Sequence, residues 1–282
     1  MVAAVFRVTA GGEAHLASGT IEHGPTSLLR DVTLDDVLAG RGPGLAEVAA
    51  SEGEHVPTDA RPAPPVGSQE VWAAGVTYRR SRDARVEEAI EATPYDRVYV
   101  AERPELFCKS AGSRVRGPDE PVAVRADSTW DVPEPELTLV LDARARIVGY
   151  TIGNDVSSRS IEGENTLYLP QAKTYDGSCA IGPAIVPVGE VEPPFTIRMT
   201  IERDSVVVYD DDTTTSEMRR SFEELAGYLG RALTFPVGAF LMTGTGIVPD
   251  PPFTLDAGDI VRIAIEDLGT LRNEVERLEP RA

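Results

Sequence analysis

Residues 130–183 contain two strands and a polar turn that leave few choices of fold. Leu137-Thr138-Leu139-Val140-Leu141 alternates as a β-strand with one apolar face, and it follows Glu134-Pro135-Glu136. Asp142–Arg146 is a polar turn, and Ile147–Asp155 reads as a second strand ending in Gly153-Asn154-Asp155. A hairpin closing between Leu141 and Ile147 pairs residues whose numbers sum to about 288. Residue 154, within one position, then faces Glu134. Asp155 takes that place if the sum is 289 or a small bulge intervenes. Facing residues lie roughly 5 Å apart at Cβ, and Glu134 and Glu136, two apart, share a face. Glu134, Glu136 and Asp155 can therefore converge.

Three converging carboxylates repel one another unless a cation sits among them. All-oxygen ligands favour a hard ion, Mg²⁺ or alternatively Ca²⁺ or Mn²⁺. Three protein ligands leave about half of an octahedral shell for water and substrate, which suits a catalytic site. The alternative is that these acids are solvated strand ends in an acidic chain.

Charge bears on that choice. The 282 residues carry a net charge of -19, which argues against nucleic acid and anionic membranes as partners. An anionic substrate is still admissible, because a metal ion inverts the local field. Of 27 basic residues only two are lysines, Lys109 and Lys173, and the other 25 are arginines. A partly buried lysine can act as a base, whereas arginine holds its proton. Both lysines flank the carboxylate hairpin. Two cysteines, Cys108 and Cys179, make no disulfide framework and point to a reducing cytoplasm. No apolar run reaches the roughly 18 residues a membrane helix needs.

The remaining chain divides in two. Residues 1–65 read as a small α+β domain and linker, and residues 66–282 as the catalytic domain. In the first, Ala3–Thr9 and Glu13–Ser18 are strand candidates, and Thr33-Leu34-Asp35-Asp36 resembles a helix-capping box. His15, His23 and His55 are scattered, as surface residues would be. Val56–Gln69, with four prolines, reads as a linker. In the second, Val71–Val76 is a short buried strand and Arg82–Ala92 a polar helix. Glu105–Lys109 is a strand that points Glu105, Phe107 and Lys109 one way. Asp176–Pro183 is a glycine-bearing turn, and Phe195–Glu202 with Val206–Tyr209 a second hairpin. Ser221–Leu233 is an amphipathic helix, and Val237–Met242 runs into Thr243-Gly244-Thr245. Many strands and few helices predict an α+β, β-rich fold, a rolled sheet with the site at its mouth.

From Glu70 to Arg277 the chain resembles the fumarylacetoacetate hydrolase family. The matching elements are Glu134-x-Glu136, Gly153-Asn154-Asp155-x-Ser157-x-Arg159, Lys173-x-x-Asp176 to Gly182-Pro183, Thr243-Gly244-Thr245, Gly258-Asp259 and Gly269-Thr270-Leu271-Arg272-Asn273. The resemblance implies a β-rich roll, a divalent metal on Glu134, Glu136 and Asp155, and a functional Lys173. It also implies a homo-oligomer, dimer or tetramer, and a small-molecule 2-keto acid substrate that chelates the metal. Tyr78, Arg79, Lys109 and Thr245 are the candidate substrate-binding residues.

One departure narrows the reaction. Hydrolytic members carry Asn-Tyr-x-x-His, but here the run is Thr77-Tyr78-Arg79-Arg80-Ser81. Serine does not take a proton near neutral pH as imidazole does, which argues against an acylpyruvate-type C–C hydrolase. An oxaloacetate-type decarboxylase is the other alternative. Together with Arg103-Pro104-Glu105-Leu106-Phe107 and Glu162-Gly163-Glu164-Asn165 through Lys173, the chain looks closest to the 2-keto-3-deoxy-pentonate dehydratase branch. That resemblance carries over Glu105 and Lys173 as the acid–base pair of an Mg²⁺-dependent elimination giving 2,5-dioxopentanoate.

Overall fold

The computed structural model describes residues 1–80 and 93–279, so Ser81 and the helix expected over Arg82–Ala92 lie outside the described residues. The chain opens with an antiparallel meander of β1 (Ala3–Ala10), β2 (Glu13–Thr20) and β3 (Gly24–Leu29). α1 (Leu34–Ala39) begins at the expected cap, where the Thr33 hydroxyl accepts from the Asp36 N–H at 3.1 Å. α2 (Leu45–Ala49) follows, and the two short helices bury Leu34, Val37, Leu38, Leu45 and Val48. β4 (Glu54–His55) pairs with β3. His23 and His55 are exposed, whereas His15 is half-buried.

The stretch expected to be a plain linker contains β5 (Arg61–Pro62), which pairs with Val8 and Thr9 of β1. The cause is an open edge. The next strand of the sheet meets β1 only at Val5, and unpaired main-chain groups beyond it would be costly.

From residue 70 the elements are β6 (Glu70–Gly75), α3 (Thr93–Val100), β7 (Glu105–Ala111), β8 (Val122–Arg125), β9 (Asp131–Val132), β10 (Pro135–Leu141) and β11 (Ile147–Asp155). β12 (Ser157–Ser158), α4 (Arg159–Glu164) and α5 (Leu169–Lys173) follow, then β13 (Cys179–Pro187), β14 (Thr196–Arg203) and β15 (Val206–Thr214). α6 (Phe222–Leu229), β16 (Ala239–Met242), β17 (Ile260–Ile265) and β18 (Gly269–Leu278) come last among the described residues. The expected turn over Asp176–Pro183 is instead mostly strand: from Cys179 onward it pairs with β11 as β13. α6 is shorter than expected, capped by the Ser221 hydroxyl and ended at Gly230. β16 starts only at Ala239, because Gly238 sits at φ 76° in a turn. Among the described residues no helix is long and apolar enough to cross a membrane.

The strands form two large sheets. One runs β4-β3-β2-β1-β13-β11-β10-β16-β6-β7, with β5 added to β1; the other runs β15-β14-β17-β18-β8. The β10–β11 hairpin lies inside the first and is buried on both faces rather than one. Leu137, Leu139, Leu141 and Ile152 pack with Ile197, Met199, Ile201 and Ile263 of the second sheet. On the other face Val140 packs with Phe240, Met242, Val71 and Ala73. Each such apolar side chain contributes about 1.5–3 kcal/mol by leaving water, so the hairpin is a rigid base for whatever its ends carry.

Its register resolves the count left open by the sequence. Pairs from Pro135↔Asn154 to Val140↔Gly149 sum to 289, and an irregularity at Val140/Leu141 lets Leu141 meet Ile147. The turn is closed by Asp142, whose carboxylate accepts from the N–H groups of Arg144 and Arg146, each at 2.9 Å.

The small β9–β12 pair holds a buried charge. Asp131 is 2% exposed, and its Oδ1 has no hydrogen-bond partner. Burial pushes its carboxyl up from 3.8 to about 6. A raised carboxyl pKa gives stability below the unfolded value that is lost as pH rises through the folded one. Asp131 thus becomes a liability between pH 3.8 and about 6, worth about 3 kcal/mol. Asp131→Asn should therefore gain on the wild type as pH rises through that window. Thermal midpoints at mildly acidic and at neutral pH check this; a gain that shrinks with rising pH would contradict it.

Candidate metal centre and active site

At the open end of the hairpin Glu134 faces Asp155. The Glu134 N–H donates to the Asp155 carbonyl at 3.2 Å, and the Asp155 N–H to the Glu134 carbonyl at 3.0 Å. Glu136, two residues on, shares the Glu134 face. One carboxylate oxygen of each lies within 4.8 Å of the others, and all three residues are buried. Burial, then the charges of Asp155 and Glu134, push the Glu136 carboxyl well above its ordinary value. A divalent cation would relieve that repulsion. The all-oxygen donor set, placed where water is excluded, fits a hard metal ion.

Lys173, at the end of α5, reaches into this cluster from the side. Its Nζ donates to Glu134 Oε1 at 2.7 Å, Asp155 Oδ2 at 3.0 Å and Ser157 Oγ at 2.6 Å. The Phe107 ring lies 5.7 Å from the same nitrogen. Arg159, 1% exposed, approaches Glu134 Oε1 at 3.3 Å. Glu136 accepts a hydrogen bond from the Gly244 N–H at 2.5 Å. Gly244 sits at φ +89°, and a Cβ there would fall 2.0 Å from the Thr77 hydroxyl. Only glycine lets the Thr243–Thr245 turn come so close.

The other candidates fall into two groups. Glu105 is half-buried and faces Gly75 across β6–β7; a Cβ on Gly75 would meet its carboxylate at 2.2 Å. Glycine there lets the carboxylate lie across the strand. Tyr78 is buried, and its phenol is pushed up by burial and then by Glu136, so it stays a hydrogen-bond donor beside the cluster. Arg79, by contrast, is exposed. Thr245 is buried, but its hydroxyl closes a local turn, donating to the Ile247 carbonyl and accepting from its N–H. Lys109 is buried against Asp155 at 2.7 Å. Protein acceptors take all three of its ammonium hydrogens.

Two residues went unassigned in the sequence, Ser157 and Arg159. For Ser157 the signal was present, since it stands two residues after Asp155 in a segment that continues as β12, which puts the two on one face. Arg159 opens α4, so alternation does not place it. The Gly244 contact had no such signal, since it is made by a main-chain N–H.

Similarity to known proteins agrees with this geometry. The chain is 56% identical over 213 residues to a probable 2-keto-3-deoxyxylonate dehydratase of Haloferax volcanii, covering 75% of this chain and 73% of that one. It is 40% identical over 257 residues to the 2-dehydro-3-deoxy-D-arabinonate dehydratase of Saccharolobus solfataricus, covering 89% and 86%. Its fold matches a solved 2-keto-3-deoxy-D-arabinonate dehydratase complexed with magnesium and 2,5-dioxopentanoate. That match has a TM-score of 0.85, 37% identity and coverage of 98% and 99%. Residues 70–276 match the fumarylacetoacetate (FAA) hydrolase C-terminal family. With the acidic cluster, the lysine beside it and three quarters of its length in agreement, the chain belongs to the fumarylacetoacetate hydrolase family.

Proposed function

We propose that this protein is an Mg²⁺-dependent hydro-lyase. It removes water from a 2-dehydro-3-deoxy-pentonate, such as the arabinonate or the xylonate, to give 2,5-dioxopentanoate. The observation that carries this reading is Lys173 Nζ, set within 3.0 Å of two of the three clustered carboxylates in a chain with two lysines. The dehydratase relatives supply the substrate class.

Glu134, Glu136 and Asp155 would hold the cation, which when bound supplies Lewis-acid polarisation of the substrate's C1 carboxylate and C2 ketone. Lys173 and Glu105 form the acid–base pair: one removes the C3 proton and the other protonates the departing C4 hydroxyl. The C3–H and C4–O bonds break and one water leaves. The product of that step is the C3=C4 enone with its C5 hydroxymethyl group. Transfer of a C5 proton to C3 gives the C4=C5 enol, which tautomerises to the C5 aldehyde. Tyr78 donates a hydrogen bond to the substrate, with Thr245 and Arg79 at its periphery. Residues 1–65 act as an accessory unit without catalytic groups, and the chain works as a homo-oligomer. A reducing cytoplasm suits its two free cysteines.

Mass spectrometry of Mg²⁺ reactions with a panel of 2-keto acids tests the reaction. Loss of one water is expected. Addition of water followed by cleavage, or loss of carbon dioxide, would replace the reading with hydrolysis or decarboxylation.

Two substitutions test the roles. Glu136→Gln should abolish turnover and weaken Mg²⁺ binding, because a neutral amide is a poorer ligand for a hard cation. Full activity after exhaustive chelation would sink the metal assignment. Lys173→Arg keeps the charge, but guanidinium does not release its proton. Turnover at saturating substrate should fall ~10²–10⁴-fold, with KM changing less. Wild-type turnover in this variant would mean that Lys173 is only an electrostatic anchor.

A further inference from the structure

Lys109 is the second of the chain's two lysines, and it is 0% exposed. A local irregularity in β7 aims it inward. Val71 faces Ser110 and Trp72 faces Cys108, which leaves Lys109 as an extra residue in the ladder. Lys109 and Ser110 are consequently both buried, where a regular strand would turn one of them to the opposite face.

The Lys109 ammonium meets three acceptors: Asp155 Oδ1 at 2.7 Å, the Val156 carbonyl at 3.0 Å and the Lys173 carbonyl. An ammonium has three hydrogens, so none is left for a ligand. The Tyr175 ring, 5.9 Å from Nζ, lies alongside. The contrast with Lys173 is in the acceptors. Those of Lys173 are all side chains, free to turn when a ligand arrives. Two of the three for Lys109 are main-chain carbonyls, which move only if the backbone moves.

We propose that Lys109 is a positioning residue that ties the end of β11 to the end of α5. It thereby sets where the Asp155 carboxylate and the Lys173 amino group stand relative to each other. This role presupposes Lys173 as the proton-transfer group. The Ser178 hydroxyl is a second hold on the same carbonyl, donating to Lys173 O at 2.9 Å. The geometry also accounts for a lysine at 109 where arginine fills 25 of 27 basic positions. A planar guanidinium fork is broader than an ammonium and does not match three convergent acceptors.

Lys109→Arg separates this role from the others, because it keeps the charge and removes only the geometry. The expected result is a loss in kcat of about 10–100-fold with KM little changed, the usual size for a residue behind a metal ligand. Mn²⁺ titrated calorimetrically into the metal-free variant should bind about 10–100-fold more weakly, a readout that needs no turnover. Wild-type kcat and Mn²⁺ affinity would overturn the proposal, as would a raised KM at unchanged kcat, the mark of a substrate contact. Should Lys109→Arg fail to fold, Ser178→Ala decides. A lower kcat at unchanged KM upholds the tie, and wild-type kcat overturns it. A wild-type protein that dehydrates no 2-keto acid would instead refute the reaction, leaving the Mn²⁺ arm to judge Lys109.

Discussion

Two main-chain hydrogen bonds join Glu134 to Asp155 at the open end of the β10–β11 hairpin, and the site depends on them. A strand shifted by one residue would carry its side chains to the opposite face. Asp155 would leave the cluster and Asn154 would enter it. The register is protected at both levels that specify it. The turn is pinned by Asp142, and both hairpin faces are packed, so a slip would expose Leu139 and Ile152 to the wrong neighbours. Rigid strands carrying catalytic groups at their ends place those groups more accurately than loops would.

That rigidity sustains an unfavourable arrangement of charge. Ions taken out of water cost several kcal/mol each, and pairing recovers this only with good geometry. Here three buried carboxylates meet Lys173, Lys109 and Arg159, themselves at most 2% exposed. As a source of stability such a cluster is poor. Its value is that every charge already stands where a reaction would need it, so little reorganisation remains when substrate binds. The apolar packing on either side of the hairpin offsets the cost.

How much of this was readable beforehand follows from the range of each interaction. The α1 and α6 caps, the main hairpin and the Glu134–Glu136–Asp155 convergence are local or period-two patterns, and the sequence displays them. The hairpin's exact offset was not displayed, because the irregularity at Leu141 depends on how the turn packs. The pairing of Arg61–Pro62 with β1 was hidden too, since it fills an edge created by a strand more than 100 residues away. The setting of Lys109 was hidden for the same kind of reason. Alternation along Glu105–Lys109 puts it on the Glu105 face, but the bulge opposite Trp72 aims it toward the Val156 and Lys173 carbonyls. Local pattern thus located the cluster, and long-range packing decided what each lysine touches within it.

Charge poses a last constraint, because a chain at -19 would have to admit an anionic sugar acid. Surface acids repel such a molecule, yet their reach is short: the screening length is about 10 Å at 0.1 M salt and about 3 Å at 1 M. The surface pairs, such as Arg198 with Asp210, are subject to the same screening. The buried contacts of Lys173 and Lys109 are not, because salt does not enter where exposure is 2% or less. Raising the salt would therefore weaken the repulsion that opposes entry and leave the buried contacts unchanged. An acidic surface and an interior that takes an anion would be compatible, because the two fields act in different media. The surface field is screened by water and ions, while the inner one belongs to buried charges, among them Lys109, which main-chain carbonyls hold in place.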